Sequence, residues 1–169
     1  MKAAGTGAVL LAAFFFALET MGEKKRRIAI LQELCRALEQ LKAELSVHLT
    51  PMPELLSSLA EKTRGSVSLF FRAVLDAMPG LGERAFYEIW SAAASAQMKE
   101  LTEPELVELM KLGEILGRYE LGEQLLAVED CLGELRSALE AHRGAYPNER
   151  RLIFGLSLAG GFFLTIVLL

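Results

Sequence analysis

Glu103, Glu105 and Glu108, followed by Lys111, are the first place in this chain to look for acid–base chemistry. The same spacing suits a solvated helix, because acids in a first turn complement the macrodipole and Glu108 reaches Lys111 at i, i+3. Nothing nearby completes a reactive set. No histidine is placed by sequence beside a serine or cysteine nucleophile, no Gly-Lys-Ser or Gly-Lys-Thr phosphate loop is present, and Gly5-Thr6-Gly7 lies inside an apolar stretch. His48 and His142 are far apart and have no His or Cys at ligand spacing, so neither a metal nor a cofactor is expected. Cys35 and Cys131 allow one disulfide, yet each lies beside a leucine position of a predicted helix, and buried thiols are the expected state. The chain reads as a non-enzyme.

The elements that would position any site fall into three blocks: apolar residues 3–22, a charged segment 23–151 and apolar residues 152–169. Of the 18 Lys and Arg and the 22 Asp and Glu, only Lys2 and Glu19 lie outside the middle block, which therefore keeps the net charge of −4 and disfavours a nucleic-acid partner. At the helical rise the last block spans roughly 27 Å, near the hydrocarbon thickness of a bilayer. Two transmembrane helices are expected. Lys24, Lys25, Arg26 and Arg27 follow the first block, and Arg150 and Arg151 precede the second, so the positive-inside rule puts the middle segment in the cytoplasm and both termini opposite. The rival is a cleaved secretory signal with one carboxy-terminal anchor, which four cations directly after the apolar run oppose.

Leucine recurs at helical spacing throughout the middle block, and no segment alternates as a strand does. An all-α fold is expected: an antiparallel multi-helix bundle flanked by the two spans. Leu31, Leu34, Leu38, Leu41 and Leu45 form a seam that ends near Leu49, before Thr50-Pro51-Met52-Pro53. A short helix should run from Glu54 to Lys62, and Ser66 should cap the next, with Val67, Phe70, Phe71, Val74, Leu75 and Met78 on its apolar face. Pro79-Gly80-Leu81-Gly82 separates it from a helix that buries Phe86, Ile89, Trp90 and Ala93. Thr102, Pro104 and Glu105 make a capping-box start. Gly113 and Gly117, four residues apart, would admit a close backbone, although Gly117 equally suits a helix end. After a turn, Leu121, Leu125, Val128, Leu132, Leu135, Leu139 and His142 form the longest seam, which should pair antiparallel with the first.

The hydrophobic ends, Ser46-Val47-His48-Leu49-Thr50-Pro51, Leu69-Phe70-Phe71, and above all Leu112-Gly113-Glu114-Ile115-Leu116-Gly117 followed by Glu123-Gln124 resemble the stage III sporulation protein AB family over the whole chain. Glu120 departs from the pattern, where an aspartate is expected. The resemblance implies a component of the mother-cell to forespore channel complex, similar to the inner-membrane platform of type II secretion machines. By that analogy the partner is the secretion-ATPase-like stage III sporulation protein AA, with other members of the complex. Gly113, Glu114, Gly117, Arg118, Glu120 and Glu123 are then the candidate partner surface, while the two glycines serve internal packing equally well. An oligomeric channel is the alternative from another class, since Ala4, Ala8 and Ala12 and the pairs Gly155/Ala159 and Ser157/Gly161 make small-residue stripes. Neither stretch carries a polar ring to line a water path. The heptads are compatible with a homo-oligomer but do not require one.

Overall fold

A computed structural model describes the backbone of residues 2–47 and 50–142, and the side chains from residue 22 onward within those ranges. Those residues form helices α1 (Lys2–Val47), α2 (Met52–Lys62), α3 (Gly65–Ala77), α4 (Phe86–Gln97) and α5 (Glu103–Ile115). A further helix, α6, occupies residues 121–142. No strand occurs among the described residues, and a 3-10 turn, Met78–Gly80, follows α3. The chain divides into two compact units, Met1–Lys25 with Glu140–Leu169, and Arg26–Leu139. The second unit is the helical bundle.

The span boundary expected at residues 22 and 23 falls inside α1, whose backbone is helical from Lys2 onward. Among the described residues no helix is long and apolar enough to cross a membrane. The side chains of the first apolar block, all of residues 152–169, and Arg150 and Arg151 lie outside the described set.

Both leucine seams turn inward. Leu31, Leu34, Leu38, Leu41 and Leu45 of α1 are buried, as are Val128, Leu132, Leu135 and Leu139 of α6. Lys42 pairs with Glu129, and Glu39 with Arg136, so rising numbers on α1 meet falling numbers on α6. The two helices are antiparallel. Burial of these side chains removes apolar area from water at about 25 cal/mol per Å², which is the main force holding the pair.

Pro51, rather than Pro53, marks the start of α2: the Pro51 carbonyl accepts the Leu55 amide at 3.1 Å, and Pro53 sits in the first turn where its missing donor is harmless. Ser66 does not cap α3. Gly65, at φ +60°, makes the turn and begins the helix two residues early, with Arg64 in the cap position. The Ser66 hydroxyl instead reaches the Glu100 carboxylate at 3.5 Å. Helix α3 packs on α2 and α4, and α4 packs on α5. Phe70, Phe71 and Phe86 surround Trp90 with ring centroids 4.8, 6.3 and 5.8 Å away, the first edge-on, as aromatic quadrupoles favour.

Candidate partner-binding site

The candidate residues lie on the end of α5, its turn into α6 and the first turn of α6, so their placement begins with what fixes α5. Its first turn has the expected form: the Glu105 carboxylate accepts the Thr102 amide at 2.8 Å, and Pro104 lies beside it in the first turn. Arg27 of α1 adds an unexpected partner. Its guanidinium donates to both Glu105 oxygens, at 2.8 and 3.2 Å, and to the Thr102 hydroxyl at 3.1 Å. Burial opposes the charge on Glu105, but the Arg27 bonds, the Thr102 amide and the Thr102 hydroxyl outweigh it, and the carboxyl sits below its ordinary value. Arg27 was expected only as a membrane-boundary cation beside Lys24, Lys25 and Arg26. Those three are exposed, whereas Arg27 is half-buried and committed to the bundle.

In the last turn of α5, Gly113 lies beneath Trp90. A Cβ there would fall within 3.0 Å of the indole Cδ1 and Cγ and of the Trp90 Cβ. The gap lets the indole nitrogen donate to the Leu109 carbonyl at 2.7 Å, one turn back on the same helix. Gly113 is therefore an internal packing residue, and what approaches it is a side chain.

Gly117 does not stack above it as a second helical glycine. It adopts φ +74° just beyond the end of α5, a conformation that costs other residues about 1–2 kcal/mol. Gln124 then braces the corner. Its side-chain oxygen accepts the Gly117 amide at 3.3 Å, and its nitrogen donates to the Tyr119 carbonyl at 2.7 Å. The Glu120 carbonyl accepts the Gln124 amide and opens α6, so the turn is held without the short carboxylate expected at this position.

Glu114, Arg118, Glu120 and Glu123 are all exposed around this corner. The Arg118 guanidinium lies 5.7 Å from the Tyr119 ring centroid, within cation–π range. Farther back on α5, Lys111 pairs with Glu108 at 2.6 Å, as the spacing predicts. That bond, with the fields of Glu108, Glu134 and Glu114, raises the Lys111 ammonium above its ordinary value. Sequence reading missed Tyr119 and Leu126, large apolar side chains left 47% and 60% exposed. For Leu126 the signal was present, because it is a leucine lying off the α6 seam. Arg27 gave no such signal: its partner is 78 residues away.

Cys35 and Cys131 are both buried. Burial, then the Glu108 carboxylate and Cys35, push the Cys131 thiol up to about 12. No group of three or more His, Cys, Asp or Glu able to hold a metal ion occurs among the described residues.

These features define an all-α bundle in which a glycine-lined contact and a glutamine brace present a charged corner. The chain belongs to the Stage III sporulation protein AB family, whose pattern matches residues 2–169. A solved structure of stage III sporulation protein AB (SpoIIIAB) shares the fold, with a TM-score of 0.63 and 24% identity, over 75% of this chain and 98% of that one. A comparison with curated proteins found no match.

Proposed function

We propose that this protein is a non-enzymatic, membrane-anchored scaffold of the mother-cell to forespore channel complex, and that its bundle docks the secretion-ATPase-like stage III sporulation protein AA. On this reading residues 3–22 and 152–169 span the mother-cell membrane facing the forespore, the bundle lies in the cytoplasm and both termini lie opposite. Family membership supports the sporulation assignment. The observation that carries the docking role is the division of labour within the family-marked segment. Gly113, Gly117 and Gln124 build the corner, while the side chains of Glu114, Arg118, Glu120 and Glu123 are exposed on it and none belongs to the buried core.

Residues that a fold does not use for packing are free to specify a partner. The test is affinity of the full chain, in detergent or liposomes, for the purified ATPase. Glu114→Ala and Arg118→Ala should each weaken binding several-fold while leaving the circular dichroism spectrum unchanged; unaltered affinity in both removes the corner from the interface. Protease accessibility in spheroplasts checks the topology, since a bundle cleaved from outside the cell would overturn it.

A further inference from the structure

We infer that Leu126 and Tyr119 are the apolar anchors of the corner interface, and that they seat against a cationic protein surface with an apolar recess. The inference rests on the docking role proposed above and specifies the chemistry of the partner.

Leu126 is 60% exposed although its helix buries the neighbouring positions Ala127 and Val128. It follows Gly122 by four residues and so stacks over it on one face of α6. Nothing lies within 4 Å of where a Gly122 Cβ would stand, so the space beside Leu126 is open to a partner. Tyr119 lies in the turn two residues before α6 begins, its carbonyl held by Gln124 and its ring next to the Arg118 guanidinium. An exposed aromatic on a braced backbone gives large contact area at little cost in ordering, which is the property of interface anchors.

Charge selects the occupant. Glu123 and Asp130, both exposed, lie three residues before and four after Leu126 and so flank it on α6, exposed Glu120 follows Tyr119 in the turn, and the Arg118 guanidinium is taken up by the Tyr119 ring. A second copy of this corner would bring carboxylates against carboxylates, and an anionic bilayer would meet the same repulsion. A cationic surface fits.

Binding of full-length chain to the purified ATPase, measured at two salt concentrations, tests this. Leu126→Ala and Tyr119→Ala should each weaken binding about tenfold, with unchanged helicity and melting temperature because neither side chain is packed in the core. Affinity of the native chain should fall as salt rises, and Glu123→Gln with Asp130→Asn should flatten that dependence. Native affinity in both apolar variants, alongside loss in Glu114→Ala, would sink the anchors while leaving the docking role intact. No binding by the native chain would overturn both. Concentration-dependent dimerisation abolished by Leu126→Ala would assign the anchors to a second copy instead and defeat the inference.

Discussion

Trp90 fills the space that a side chain on Gly113 would need, and in doing so bonds the Leu109 carbonyl at 2.7 Å. One missing Cβ thus sets the approach of α4 to α5. The corner proposed to meet a partner follows at once where α5 ends, so its position depends on this contact.

Gly113→Ala should destabilise the bundle by about 1–3 kcal/mol, because the indole has Phe70, Phe71 and Phe86 behind it and little room to retreat. Gly133→Ala makes the informative contrast. It lies within α6 with nothing within 4 Å of its missing Cβ, and the change should stabilise by about 0.5–1 kcal/mol. Urea melts of the two variants would show opposite shifts; equal shifts would refute the packing argument.

Arg27→Ala should cost about 3 kcal/mol, since it takes the cation away from a carboxylate that is only 5% exposed. Glu105 releases its proton more readily folded than unfolded. Its contribution is therefore complete above the ordinary value of 4.5 and is lost as pH falls below that through the lowered folded value. In Glu105→Gln this part of the acid dependence should vanish. Parallel stability-against-pH curves for native protein and variant would exclude the linkage.

Neither thiol should react with Ellman's reagent at about pH 8 in the folded protein, given the burial of both and a Cys131 thiol pushed up to about 12. Two equivalents should react on unfolding. Rapid modification of the native chain would show that the α1–α6 contact opens readily.

Gln124→Ala removes both side-chain bonds across the α5–α6 turn, and a cost of about 1 kcal/mol is expected. Hydrogen exchange should quicken at the Gly117 amide while that of Leu112, inside α5, stays unchanged. Faster exchange at both would mean that the brace supports the whole helix.

The seams, the α5 start and the aromatic helix were legible because each depends on residues a few positions apart, where helical periodicity and capping chemistry act. Leu38 and Leu135 could be assigned to the core in this way. The Arg27–Glu105 pair could not, because a cation next to an apolar block satisfies the positive-inside rule whether or not it also has a distant partner. Ser66 failed for a local reason: Gly65 supplied the left-handed turn first, and the hydroxyl was left to find Glu100. At the corner, packing and projecting residues alternate within the segment that the resemblance marks, and only the Trp90 contact separates Gly113 from Glu114.

The ion pairs of helix α1 with α5 and α6 close at separations of 78, 87 and 97 residues. A ribosome adding about 5–20 residues per second needs roughly 5–20 s to supply them after α1 has emerged. Through that interval the oily ridge from Leu31 to Leu45 lacks the cover that α6 gives it, and a stall or truncation before α6 would release a polypeptide prone to clumping.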